Sequence, residues 1–254
     1  VTSHTSTQAH HYLNLPDART VITKAVRAAA QALDIATQQN GMLCLTADPG
    51  VGKTFTLHAL LDQRPHLPAL RLLARPQARP DDLRHSLHHA LGLPGSPPKD
   101  PGICDDYLRH TLREPHRIVA IDEAHQLSAT CIEYIRYLHD DPTPHLTLVL
   151  LASRPRLRAL RSKSALASRV TTWHDMQPLT PTETLTAIPR LHQVWRHVPP
   201  ETIRQLDDTW ASGNLRRWAA LTHRLLTHQR RNPHQPTTPA TLLQPLQPTR
   251  AAAP

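Results

Sequence analysis

The sequence predicts an α/β fold: a parallel sheet between two helical layers, with a small all-helical domain behind it. Three observations predict this. Apolar runs of strand length recur at 42–45, 118–121 and, interrupted only by Thr147, 146–152, as in strands buried on both faces. Segments of helical spacing alternate with those runs. The first run also leads through a glycine-rich turn, Ala47-Asp48-Pro49-Gly50-Val51-Gly52-Lys53-Thr54, straight into a helical segment.

The elements follow in order. Residues 1–15 are polar and rich in His and Thr, which predicts a flexible end. Residues 16–39 read as one long Ala-rich helix closed by Gly41. The strand at 42–45 and the helix at 55–61 flank the glycine-rich turn, with Phe55, Leu57, Leu60 and Leu61 apolar. A second strand is expected at 69–74 and a helix at 80–91, with Leu83, Leu87 and Leu91 on one face. Residues 92–102 hold three glycines and four prolines and read as a loop. After the strand at 117–121, Leu127, Cys131, Ile135 and Leu138 recur at helical spacing behind a candidate N-cap, Ser128. The strand at 146–152 follows, then a short last strand at 170–173. Thr180-Pro181-Thr182-Glu183 is a capping box with Pro at the first helical position, and it opens the helical domain. Pro199-Pro200 starts another helix, with Ile203, Leu206 and Trp210 as its buried stripe. Gly213 ends that helix, Asn214 caps the next, and Leu215, Trp218, Leu225 and Leu226 form the next one's apolar face. Residues 232–254, rich in Pro, Thr, Gln and Ala, cannot build a core. The expected division is therefore 1–40, a polar segment and helix; 41–175, the sheet domain; 176–231, the helical domain; and 232–254, a disordered tail.

The turn has the chemistry of a phosphate loop. Gly50 and Gly52 can adopt backbone angles that aim several N–H groups inward. Lys53 can reach β/γ-phosphates and the Thr54 hydroxyl can ligate Mg²⁺. Ala47 stands where the strict pattern has glycine, and an alanine fits if φ stays negative. Only seven glycines and four lysines occur in the chain, against 25 arginines, yet two glycines and a lysine sit together here. The strand at 117–121 ends in Asp122-Glu123, at the strand end where such sheets place ligands. Asp122 is the expected Mg²⁺ residue and Glu123 the general base toward an attacking water. ATP with Mg²⁺ is the ligand these groups predict. Asp122-Glu123-Ala124-His125 also spells a helicase box, but such helicases need two full lobes, and these residues supply one. His125 reads as a surface or supporting residue. The strand at 146–152 runs into Ser153-Arg154, a polar end suited to the γ-phosphate or the attacking water.

These stretches resemble the AAA+ ATPases of the P-loop NTPase class, and within them the transposition-associated type (MuB, TnsC, TniB) and the similar ExeA-like ATPases. The matching segments are 46–54, 118–125, 132–157 and 168–180, within a resemblance covering about residues 20–230. The resemblance implies a three-layer core with a C-terminal helical lid. It implies that Ser153 or Arg154 is the first sensor, although Arg is unusual there. It implies that Arg169, in Ser168-Arg169-Val170, is an arginine finger reaching a neighbour's nucleotide. Gly213-Asn214-Leu215-Arg216 resembles the second sensor, with Arg216 or the adjacent Arg217 at the γ-phosphate. It further implies an ATP-dependent homo-oligomer, ring or filament, that recruits or activates a transposase.

The net charge of +9 points to nucleic-acid phosphates. Arg154, Arg156, Arg158, Arg161, Lys163 and Arg169 run without an intervening acid, and Arg216, Arg217, Arg224, Arg230 and Arg231 add to them. Largely sequence-independent DNA binding is expected. No apolar run approaches the length of a membrane span, and no signal-peptide layout opens the sequence. Cys44, Cys104 and Cys131 lack metal spacing and read as buried thiols of a reducing cytoplasm. Competing readings are an envelope-assembly ATPase, a replication-type DNA loader, and an ATP-dependent switch with negligible turnover.

Overall fold

In the computed structural model, residues 15–141 and 145–231 are described. The expected flexible segment 1–15, apart from Leu15, and the tail 232–254 lie outside them. The chain gathers into two compact units. Of the described residues, the sheet unit comprises those within Ala25–Pro49 and Thr56–Met176; the helical unit comprises 15–24, Gly50–Phe55 and 177–231.

The elements of the first part of the chain are α1 (Lys24–Gln38), β1 (Met42–Ala47), α2 (Lys53–Asp62), β2 (Ala69–Leu73), α3 (Pro80–Ala90) and α4 (Pro101–Leu112). Then come β3 (Arg117–Asp122), α5 (Ala129–Asp140), β4 (Leu146–Ser153), the short α6 (Leu157–Arg161) and α7 (Ser164–Ala167), and β5 (Val170–Asp175). The five strands are parallel in the order β2-β3-β4-β1-β5. Alternate residues serve opposite faces, which is why the inner strands β1, β3 and β4 read as largely apolar runs. Met42, Cys44, Val119, Ile121, Leu148 and Leu150 join the core that includes α3, α4 and α5 residues. Leu43, Leu45, Ile118, Ala120, Val149 and Leu151 join the core that includes α1 and α2 residues. Because all strands point the same way, Ala47, Asp122, Ser153 and Asp175 end at one edge.

Two expectations need correction. α1 starts at Lys24, not at 16: Asp17 takes φ 59°, and Leu15 and Ala18 pack against Ala219 within the helical unit. The β-branched run Thr20-Val21-Ile22-Thr23 is a weak helix former. Asn40, rather than Gly41, takes the left-handed turn that ends α1, at φ 48°, and the Gly41 N–H donates to Ala36 O at 2.8 Å. The second correction is α4, which begins inside the expected loop. Asp100 caps it by accepting from the Ile103 N–H at 3.0 Å, and Pro101 opens it.

The helical unit holds α8 (Pro181–Leu191), α9 (Pro200–Leu206), which continues as one π turn over Asp207–Ala211, and α10 (Leu215–Arg231). The Thr180–Glu183 capping box forms as read. Buried Trp195 and Trp218 meet edge to face at 5.3 Å. A buried carboxylate, Asp207, accepts from the Gly213 N–H at 2.7 Å, Trp218 Nε1 at 3.0 Å and Thr184 Oγ1 at 3.3 Å. Those donors meet the need of a charge taken out of water.

Candidate nucleotide-binding site

β1 keeps strand geometry to its last residue, so Ala47 tolerates its Cβ where glycine was expected. Asp48 and Pro49 follow. Gly50 then takes φ +89° and Gly52 φ +107°, flanking the buried Val51. Lys53, half-buried, and Thr54, exposed, open α2, with Phe55 in its first turn. Strand, turn and helix thus stand as the sequence predicted, with the helix starting two residues earlier.

Within the helical unit the loop meets the start of α10. The Arg216 N–H donates to the Gly50 carbonyl at 3.0 Å. A Cβ on residue 50 would lie 2.4 Å from Asn214 Oδ1 and 2.9 Å from Arg216 Cβ. Asn214 Oδ1 caps α10 by accepting from the N–H groups of Arg216 and Arg217 at 3.1 and 3.2 Å. Arg217 turns elsewhere: its Nη1 donates to Trp210 O at 2.6 Å and its guanidinium lies over the Trp210 ring. Of the two adjacent arginines, Arg216 is the one whose backbone touches the loop.

Within the sheet unit, β3 ends in Asp122, whose Oδ1 accepts from the Glu123 N–H at 2.8 Å. Glu123 sits in the left-handed region at φ 54°, a conformation an L-residue adopts only when its surroundings hold it. Its Oε2 lies 3.3 Å from His125 Nε2. His125 Nδ1 is buried without a hydrogen-bond partner. The strand register sets Ser153 beside Ala47 and Asp175 beside Thr46. Arg154 reaches across this edge: Nη1 donates to Asp48 Oδ2 at 2.7 Å, Nε to Asp175 Oδ1 at 3.1 Å, and Nη2 to Met176 O at 3.1 Å.

Arg169 lies at the other edge, just before β5, and its Nε donates to Asp140 at 2.7 and 2.9 Å. The hydrogen bond from Arg169 holds the Asp140 carboxyl below its ordinary pKa. The fold does not bring Arg169 to the edge that carries Asp122 in its own sheet. Of the basic stretch, Arg161 covers the Trp173 ring at 4.7 Å and Lys163 donates to Leu127 O at 2.6 Å, so several of its cations have partners inside the chain. Sequence reasoning missed the acceptors of Arg154. Asp175 gives no local signal, because only strand pairing brings it beside residue 46.

The groups at hand fit a nucleoside triphosphate with a hard divalent cation. The helical unit supplies Gly50 and Gly52 at positive φ, the Lys53 ammonium and the Thr54 hydroxyl; the sheet unit supplies the Asp122 carboxylate, an oxygen donor of the type Mg²⁺ takes. Residues 36–160 match the family model of an AAA domain. The P-loop AAA+ fold recurs in solved structures. Cdc6p from Pyrobaculum aerophilum superposes with a TM-score of 0.68 at 14% identity, over 84% of this chain and 65% of that one. The Aeropyrum pernix Orc1 protein, solved in complex with DNA, gives 0.63 at 16%, over 89% and 64%. The Thermotoga maritima RuvB Holliday junction branch migration motor gives 0.60 at 17%, over 87% and 67%. The chain thus spans less than two thirds of the Cdc6p and Orc1 proteins. No curated protein sequence matches it. Among the described residues no helix is long and apolar enough to cross a membrane.

Proposed function

We propose that this chain is a DNA-binding ATPase that assembles with itself when ATP is bound and recruits or activates a transposase. The observation that carries the ATPase reading is the continuous strand, turn and helix of β1 and α2, with Gly50 and Gly52 both at positive φ ahead of Lys53. Lys53 steadies the β/γ-phosphates, and Thr54 and Asp122 hold Mg²⁺. When bound, Mg²⁺ neutralises charge on the phosphate oxygens. Glu123 orients the attacking water and takes its proton, Ser153 lies at the edge where that water is polarised, and Arg216 answers to the γ-phosphate. Arg169 completes the site of an adjoining subunit, in keeping with its place at the far edge of its own sheet.

DNA as partner is supported by the charge of +9 and by α10. Arg217, Arg224 and Arg231 recur every seven residues, as do Arg216, His223 and Arg230, and no acid interrupts the helix. Seven residues advance a helix by about 10.5 Å. The arginines of these two columns suit a phosphate backbone and read no sequence. The transposase rests on the resemblance of segments 132–157 and 168–180 alone. Fluorescence anisotropy on an arbitrary duplex tests the DNA reading. A slowly hydrolysed ATP analogue tightens binding, ADP does not, and added salt weakens it steeply. Binding indifferent to both nucleotide and salt contradicts it.

A further inference from the structure

The carboxyl edge of the sheet carries Asp48, Asp122, Glu123 and Asp175. A polyanionic ligand approaching four carboxylates meets repulsion unless some are neutralised. One cation on that edge addresses two of them. The three donors of Arg154 go to three different places: Asp48 inside the phosphate loop, the Asp175 carboxylate at the end of β5, and the Met176 carbonyl beyond it. Asp175 is itself fixed by Thr46 Oγ1, which donates to it at 3.0 Å, and the Met176 N–H donates to Thr46 O at 2.7 Å. Since β1 lies between β4 and β5, the guanidinium crosses the end of the strand from which the loop departs.

The geometry points to Arg154 as a positioning residue for the phosphate loop, which sets the entry of the loop at Asp48 and neutralises its carboxylate, and not as a reader of the γ-phosphate. This rests on the nucleotide reading above. A sensor distinguishes ATP from ADP; a strut serves both, because both place phosphates on the same loop. The planar guanidinium fork suits three separate acceptors, and a lysine ammonium does not replace it.

The test is calorimetric titration of ATP and of ADP into wild type, Arg154→Ala, Arg154→Lys, and Arg154→Ala combined with Asp48→Asn. The pair is part-exposed, which limits its strength, so Arg154→Ala weakens ATP and ADP alike by about tenfold. Arg154→Lys recovers little of this. Adding Asp48→Asn recovers much of it, because the uncovered carboxylate is then gone. A loss confined to ATP, wild-type affinity in Arg154→Ala, or no recovery with Asp48→Asn overturns the proposal. Lys53→Ala run in parallel separates the two claims: wild-type affinity there removes the nucleotide reading itself. The tie is also read without nucleotide, by a double-mutant cycle of Arg154→Ala and Asp48→Asn in urea unfolding, where strictly additive losses overturn it.

Discussion

The Arg216 N–H and the Gly50 carbonyl are 3.0 Å apart, joining the first turn of α10 to the glycine-rich loop. Residue 50 therefore has two reasons to be glycine. Its φ of +89° strains any L-residue, and a Cβ would lie 2.4 Å from Asn214 Oδ1. Gly50→Ala is expected to weaken ATP binding at least tenfold while the far-UV circular dichroism stays that of a folded chain. Unchanged affinity in a nucleotide titration contradicts this.

A second network ties α3, α4 and α5. Arg84 donates to Asp105 through Nε and Nη2, both at 2.8 Å, and Tyr134 OH donates to Asp105 at 2.7 Å. Arg84 also lies over the Tyr134 ring at 4.5 Å. Asp105→Ala leaves Nε and Nη2 of the largely enclosed Arg84 and the buried Tyr134 phenol without their acceptor, although Arg84 Nη1 keeps Asp81, at about 2–4 kcal/mol of stability. Urea unfolding of that variant measures it, and a midpoint equal to wild type refutes the estimate.

The sequence made the sheet and its glycine-rich loop legible because both are local. Apolar runs encode strands, and Gly50, Gly52 and Lys53 encode the loop within four residues. The capping box at Thr180 and Glu183 was legible for the same reason. Long-range pairing was not. Asp105 and Asp207 look like surface acids in the sequence, and only the approach of Tyr134 and Trp218 makes them buried acceptors. The α4 cap, Asp100-Pro101, was local and readable, but the surrounding prolines and glycines pointed to a loop. The start of α1 slipped because Ala-rich propensity near residue 28 says nothing about Leu15 and Ala18 packing elsewhere.

Burial lowers the pKa of His174, of His139 and of His116, the last helped by the charge of His145. Unfolding lets these rings take protons that the fold refuses. The unfolded chain then binds more protons below the ordinary histidine value, about 6.5, and stability falls as pH drops through that value toward the lowered folded ones. The urea midpoint is expected to be lower at pH 5.5 than at pH 7.5 (about one unit either side of that value), and His174→Asn to flatten the difference. A midpoint that rises on acidification contradicts the sign.

If Arg169 acts in a neighbouring subunit, turnover per subunit rises with protein concentration. Lys53→Ala and Arg169→Ala chains, each inactive alone, then regain activity when mixed, because an intact loop meets an intact finger. Concentration-independent turnover without complementation removes Arg169 from that role.

On α10, replacing Arg224 and Arg231 by alanine is expected to reduce the salt slope of DNA binding by about two, one for each phosphate left without its arginine. An unchanged slope moves the DNA surface off this helix.

In the proposed mechanism Glu123 activates water against ATP held by the loop that contains Lys53. Single-turnover phosphate release by Glu123→Gln, set beside its affinity for ATP, tests this most directly. The expected result is wild-type ATP affinity with phosphate release slowed by about 100-fold or more. Release at the wild-type rate, or a wild-type chain that binds no ATP, contradicts it.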